Sequence, residues 1–389
     1  MFKVKTYNAI SDKGLSRFPS STYELGSDVS SADAYVLRSH KLQGEAVPDS
    51  LVAVARAGAG TNNVPSAEYA DKGIVVFNTP GANANAVKEL VITGMLMSCR
   101  DISGGIDFVR GIELTDNAEM AKLLESQKKR FAGSELQGKT LGVVGLGAIG
   151  ALVANVALSL GMNVVGYDPA ISVGAAWRLS QYVEQMSSLE SLLAKSDFIS
   201  LHVPAIEATH HLINAETVKH CKSDAVLLNF AREQIVDSDA ILAAMSAGQL
   251  RKYVTDFPTP EMIDRQDVVP MPHIGASTAE AEENCAVMAA DQVMDYLENG
   301  NIRNSVNFPA IKMARMGKAR LTFSNKNVPK VLGNVLSLLA DNNMNVVDMI
   351  NRSRDDLAYN IIDVESAVTD ELVNAISEVE GVIRVRVIQ

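Results

Sequence analysis

Between Leu141 and Tyr167 the chain runs for 27 residues without a charged side chain. That is long enough to cross a bilayer as a helix. Six glycines, Asn155 and Asn163 fall within it, however, and this composition suits strand, tight turn and helix buried in an α/β layer far better. The turn can be read directly. Gly145-Leu-Gly147-Ala-Ile-Gly150 follows the apolar run LGVV, and Ile149, Leu152, Val153, Val156 and Leu160 then recur at helical spacing as far as Gly161. Asp168 closes the next apolar run, about 20 residues on, where a dinucleotide-binding βαβ unit places its acidic residue. Each position has a physical task. Gly145 permits the tight turn, Gly147 lets main-chain N–H groups approach a pyrophosphate at the positive helix end, and Gly150 lets helix and strand pack closely. Asp168 would accept hydrogen bonds from a ribose and repel a 2′-phosphate, which favours NAD over NADP.

The same alternation of apolar runs and helical patterns fills the central third, as in a parallel, doubly wound sheet with right-handed crossovers. DFISLHVP, AVLLNFAR, YVTDF and DVVPMPH read as strands, and SLESLLAKS, NAETVKHC and SDAILAAMSAG as helices, the last capped by Asp237 or Ser238. DAYVLRS, LVAVARAG and IVVFNTP repeat the strand theme in the first hundred residues, followed by a helix through VKELVITGMLMSC. A long helix is expected over 277–300. These patterns imply a domain built from residues 1–98 and 278–310, with a dinucleotide-type domain, 99–277, inserted in it. Residues 311–318, AIKMARMGK from Ala310, form a basic linker, and 319–389 follow a βαββαβ, ferredoxin-like order.

Ligands of a doubly wound sheet collect at the carboxyl ends of its strands. Arg232 ends AVLLNFAR, Glu261 follows YVTDF and His273 follows DVVPMP. The three suit oxidation of a 2-hydroxy acid. A guanidinium holds the carboxylate and polarises the C2 oxygen, an imidazole takes the hydroxyl proton, and a carboxylate orients the imidazole. Each also has a structural alternative: Arg232 as a cap on the sheet surface, Glu261 as a solvated loop acid, His273 as one of six histidines with no chemical part. Asp256 ends a strand on the same side, either to meet a nicotinamide carboxamide or as a turn aspartate ahead of Pro258.

Composition narrows the partners. With 35 basic and 46 acidic residues the formal charge is −11, which disfavours nucleic acid and anionic lipid. Mean hydropathy is +0.07, against disorder. Cys99, Cys221 and Cys285 are too widely separated for a metal knuckle or disulfide framework, so no metal is expected and a reducing, cytoplasmic setting is. The stretch MFKVKTYNAISDKG has no apolar core of signal-peptide length.

RAGAGTNNV (56–64), VFNTPGANANAVKEL (76–90), GKTLGVVGLGAIG (138–150), GYDP (166–169), NFAR (229–232), PHIGAST (272–278) and NSVNFP (304–309) together resemble the D-isomer-specific 2-hydroxyacid dehydrogenases. Within them the chain is similar to the short-form branch that acts on 3-phospho-D-glycerate and ends in an ACT domain. The resemblance implies two Rossmann-like, doubly wound domains, a flavodoxin-like substrate domain and an inserted NAD-binding domain, with a C-terminal ferredoxin-like ACT domain. It implies NAD as cofactor, Arg232, Glu261 and His273 as catalytic residues, and Thr79, Ala148, Ile149, Asp168, Pro204, Ala231, Asp256, Gly275 and Ala276 as cofactor contacts. Arg56, Gly58, Gly60 and Asn83 are the implied substrate contacts. Arg56 suits a phosphate, or else binds carbonyls under the glycine loop. The segment DFPTPEM departs from the family pattern, which leaves Asp256 and Asp264 as alternatives to Glu261 for orienting His273. Asn62 stands where the family has Asp. Asn325 and Lys330 stand where serine-binding ACT domains have His and Gly, so the module either takes an amino-acid effector or serves to oligomerise the chain as a homodimer or homotetramer. The other readings are reduction of a different 2-oxo acid, such as glyoxylate, hydroxypyruvate or 2-oxoglutarate, and a non-catalytic NAD-sensing binding protein.

Overall fold

Five short strands, β1 (Phe2–Thr6), β2 (Tyr23–Gly26), β3 (Ala34–Leu37), β4 (Ala53–Arg56) and β5 (Val75–Phe77), open the chain in the computed structural model, which describes residues 1–388. They form an all-parallel sheet in the order β2-β1-β3-β4-β5. Helices α1 (Asp12–Leu15) and α2 (Ser66–Asp71) lie among them. Strands β3, β4 and β5 are apolar on both faces and buried, as a parallel sheet covered on both sides requires. Strands β1 and β2 are additions to the sequence-based expectation. Lys3, Lys5 and Glu24 interrupt their apolar pattern because these strands lie at and beside the sheet edge, where Lys3 and Glu24 sit 4.0 Å apart.

Residues 84–278 form a second compact unit. Helices α3 (Ala84–Cys99), α4 (Ile102–Arg110) and α5 (Asn117–Gln127) precede its sheet. The sheet comprises β6 (Thr140–Val144), β7 (Asn163–Tyr167), β8 (Glu184–Gln185), β9 (Phe198–Leu201), β10 (Val226–Asn229), β11 (Lys252–Thr255) and β12 (Val268–Pro270), all parallel, in the order β12-β11-β10-β9-β6-β7-β8. Helices α6 (Ala148–Ser159), α7 (Val173–Ala176), α8 (Leu189–Lys195) and α9 (Ser238–Ser246) connect them. Two apolar cores, one on each face, make this sheet doubly wound. Asp237 caps α9 by accepting from Ala240 N at 3.1 Å. The helix expected at NAETVKHC is corrected to one 3₁₀ turn, Thr217–His220. Asn214 Oδ1 accepts from both Glu216 N and Thr217 N, so a side chain supplies the acceptor that a longer helix would take from the main chain.

The chain then continues as α10 (Ala279–Asn299) and a four-stranded antiparallel sheet: β13 (Ala319–Lys326), α11 (Val331–Asp341), β14 (Val346–Arg354), β15 (Leu357–Val364), α12 (Asp370–Ser377) and β16 (Val382–Ile388). Its order is β14-β15-β13-β16. These residues belong to the same compact unit as β1–β5. One face of the antiparallel sheet packs under α11 and α12, while Tyr359 and Ile361 on the other face join the core formed by β1, β3, β4 and α10.

One buried side chain gathers several strands of the junction. Arg320 is fully buried, and its five N–H groups are all spent. Two go to the Asp363 carboxylate at 2.6 and 2.9 Å, and the others to the carbonyls of Asn299 (2.9 Å), Met313 (3.0 Å) and Ala314 (2.9 Å). Arg386 donates to the carbonyls of Tyr296 and Leu297, so arginines close three of the last four carbonyls of α10. Burial works to raise the Asp363 carboxyl, but Arg320 and the Met316 N–H hold it below its ordinary value. Replacing Arg320 by Met strands a buried carboxylate and should cost about 3–5 kcal/mol in urea unfolding. Because the folded-state value is depressed, the pair stabilises fully above the ordinary carboxylate value, and its contribution is lost as pH falls through the folded one. Acid titration should therefore show a low-pH loss of stability in the wild type that Arg320→Met lacks.

Candidate active site

The glycines divide the work of the β6–α6 turn as their spacing predicts. Gly145 has φ +88°, and a Cβ there would lie 2.6 Å from the His202 carbonyl oxygen at the end of β9. A Cβ on Gly150 would run into the Gly145 carbonyl, so turn and helix touch through main chain alone. Beside Gly147 nothing lies within 4 Å of where a Cβ would be, which leaves room for a ligand to approach the backbone. Gly147 caps α6 without a side-chain hydrogen bond, so the amides of Ala148 and Ile149 face outward with the helix dipole behind them. The Asp168 carboxylate, at the end of β7, accepts from Leu146 N (2.8 Å) and Ala170 N (2.9 Å), which fixes it beside the turn. This is the donor and acceptor set that a dinucleotide's pyrophosphate and ribose require. His202, not singled out from the sequence, lies beneath Gly145. Burial pushes its imidazole down to about 3, and Ser200 Oγ lies 2.8 Å from its Nε2, so it adds no charge under the turn. Pro204, two residues on, turns its carbonyl to the Thr209 hydroxyl.

The ends of β10, β11 and β12 carry the remaining polar groups. Arg232 is exposed, three residues beyond β10, and donates to the Ala231 carbonyl at 2.7 Å. Asn229, fully buried, donates to the Arg232 carbonyl (2.9 Å) and accepts from Ala231 N (3.1 Å), so one carboxamide shapes the NFAR turn. Asp256 is the most constrained of the group. It is buried, and its two oxygens accept from Ile274 N (2.9 Å) and Gly275 N (2.8 Å), the two residues after His273. His273 has φ +56°, a left-handed backbone rare outside glycine. Its ring meets Phe257 with centroids 4.8 Å apart. Gly275 is buried against Asp256 and Ala276 is half-buried.

Glu261 is exposed, and the Thr259 hydroxyl holds its carboxyl below the ordinary value. Among the described residues, no hydrogen bond or ion pair joins His273 to Glu261 or Asp264. Asp256 reaches the His273 loop through main chain rather than through the ring.

In the other unit, Arg56 ends β4. Its Nε donates to the Arg38 carbonyl at 3.0 Å, and its guanidinium lies where a Gly58 Cβ would be. Gly58 and Gly60 belong to a loop pinned by the strand after it: Thr79 N donates to the Gly58 carbonyl (3.1 Å) and Asn78 Nδ2 to that of Ala59 (2.7 Å). The Thr79 hydroxyl is buried without a partner. Asn83 is half-buried just ahead of α3, and Asn62 is exposed while its neighbour Asn63 takes the structural bonds. Among the described residues no group of side chains could hold a metal ion, and no helix is long and apolar enough to cross a membrane.

Turn, uncapped helix and acid define a dinucleotide-binding dehydrogenase domain. Residues 94–276 match the family model described as D-isomer specific 2-hydroxyacid dehydrogenase, NAD binding domain. The D-3-phosphoglycerate dehydrogenase of Haemophilus influenzae is 33% identical over 358 residues, which take in 88% of this chain and 82% of that protein. That of Methanocaldococcus jannaschii is 33% identical over 337 residues, 84% of this chain but 61% of that longer protein. A solved NAD⁺-bound 3-phosphoglycerate dehydrogenase in Entamoeba histolytica superposes with a TM-score of 0.59 at 26% identity, covering 79% of this chain and 98% of that one. The chain belongs to the D-isomer-specific 2-hydroxyacid dehydrogenases, and is an NAD-dependent enzyme of that family.

Replacing Asp256 by Asn turns an amide toward two N–H groups that need acceptors. A lost charge-assisted pair is worth about 1.5–3 kcal/mol, so kcat should fall roughly 10- to 100-fold with the circular dichroism unchanged. A rise in the KM for NAD at constant kcat would instead show that Asp256 serves cofactor binding alone and not the placing of His273.

Proposed function

We propose that this enzyme oxidises 3-phospho-D-glycerate at C2 to 3-phosphooxypyruvate, the entry step of serine biosynthesis. Supporting this are relatives named D-3-phosphoglycerate dehydrogenase along most of the chain, and the position of Arg232 and His273 beyond the carboxyl ends of β10 and β12, the two strands that flank β11. The second of these carries the mechanism. When bound, NAD supplies the hydride acceptor. Arg232 clamps the substrate carboxylate and polarises the C2 oxygen with its planar fork. His273 takes the hydroxyl proton as hydride leaves C2, so the carbonyl forms without a free alkoxide. Glu261 is the acid assigned to stabilise the imidazolium. The amides of Ala148 and Ile149 hold the pyrophosphate, with Gly145, Gly147 and Gly150 clearing its approach, and Asp168 takes the ribose. Thr79, Pro204, Ala231, Asp256, Gly275 and Ala276 border the cofactor. Arg56, Gly58, Gly60 and Asn83 receive the substrate.

The C-terminal βαββαβ module is assigned as ACT-like. Asn325 is already engaged, accepting from Asn360 (2.8 Å) and donating to the Lys326 carbonyl (2.7 Å), and Lys330 has φ +75° at the start of α11. Those bonds favour an oligomerising or structural part over serine binding. A homodimer or homotetramer is supported by α4, whose Ile102, Ile106 and Val109 are each more than 40% exposed on a helix with no buried residue.

Purified protein should reduce NAD with 3-phosphoglycerate, and NADP far less. His273→Ala should lower kcat about 10²- to 10⁴-fold without weakening NAD binding measured by fluorescence. Turnover of glyoxylate or 2-oxoglutarate but not of the phosphorylated acid would assign the chain to another member of the family.

A further inference from the structure

The loop that carries His273 follows β12, yet the end of the neighbouring strand, β11, sets its shape. Three consecutive residues reach it from there. The Thr255 carbonyl accepts from Met271 N at 2.8 Å. The Asp256 carboxylate takes the amides of Ile274 and Gly275. The Phe257 ring then lies against the His273 ring, with centroids 4.8 Å apart and planes inclined by 57°, a favourable spacing for an aromatic pair.

Phe257 is itself stiff. It precedes Pro258, whose ring confines the backbone before it to extended conformations. Its N–H donates to the Thr255 hydroxyl at 3.0 Å, and Thr255 is fully buried. The imidazole has no such hold of its own. His273 is exposed, and among the described residues no hydrogen bond or ion pair reaches its ring. The bonds made by Asp256 fix its main chain, at φ +56°, and so the place of its Cβ, but they leave χ1 and χ2 free. The Phe257 ring is the group that limits them.

We propose that Phe257 is a positioning residue for the oxidation, holding the His273 imidazole in the rotamer from which it takes the hydroxyl proton. The proposal rests on the part assigned to His273 above. A general base works only within hydrogen-bond reach of its proton, and an imidazole free to turn divides its time among rotamers that mostly lie out of reach. A flat ring beside the imidazole removes those rotamers without adding a charge or a hydrogen bond. Leucine in its place fills part of the space but offers no flat face. The loss then falls on the chemical step and leaves the binding of cofactor and substrate alone.

The test compares Phe257→Leu, Phe257→Tyr and His273→Ala with the wild type, oxidising 3-phosphoglycerate with NAD. In Phe257→Leu the first-turnover rate of NADH formation, followed by stopped flow, should fall about tenfold, with NAD binding by fluorescence and the KM for 3-phosphoglycerate within about twofold. Phe257→Tyr keeps the flat ring and should restore the rate to within about threefold of wild type. A first-turnover rate in Phe257→Leu equal to that of wild type would overturn the proposal. So would an equal loss in Phe257→Tyr, or a loss matched by weaker NAD binding, either of which assigns Phe257 to packing. If His273→Ala itself keeps the wild-type rate, the base assigned above fails, and the positioning role with it.

Discussion

The nucleotide half of the molecule depends on a contact in which no side chain takes part. Gly150 in the first turn of α6 meets the Gly145 carbonyl, and Gly145 in turn lies against the His202 carbonyl. Only backbone fits in either place. The axis of α6, the outward aim of the Ala148 and Ile149 amides and the short span to Asp168 all follow from that closeness. A methyl group at either position would push the helix off the sheet, and the anion site with it.

The polar side chains around the strand ends share a second device. Asn8, Asn63, Asn78, Asn229 and Asp256 all spend their hydrogen bonds on the main chain of a neighbouring loop. Each is a short side chain, and all but Asn63 lie at or just after a strand end, where they can satisfy the amides and carbonyls of loops that have no ladder partner. The residues suited to chemistry, Arg232 and His273, are then held from behind while their tips stay accessible. The cost is local strain, shown by left-handed backbone at His273 and Asn8.

The alternating strands and helices of the central region and the task of each turn glycine were legible in the sequence, because periodicity and glycine sterics are local. Strands β1 and β2 were not, since lysine and glutamate at a sheet edge erase the apolar pattern. Nor was the 3₁₀ turn at Thr217, where Asn214 outcompetes the helix. Arg232, Glu261 and His273 could be singled out by type and place. That Asp256 holds a loop, and that Glu261 rests on Thr259 without bonding His273, are matters of side-chain direction that spacing does not encode. Asn229 left a trace, as a polar residue ending an otherwise apolar strand.

Arg320 has a consequence for how this chain can change over evolutionary time. A C-terminal module is often pictured as an interchangeable part on a string. Here the supposed string passes its carbonyls at Met313 and Ala314 to a guanidinium inside the module, and that same group finishes a helix belonging to the amino-terminal sheet. A transplanted module would have to bring its own buried arginine and matching acid, set in the same place. Swapping is thereby discouraged, and the two pieces are expected to be inherited, and to drift, as a pair.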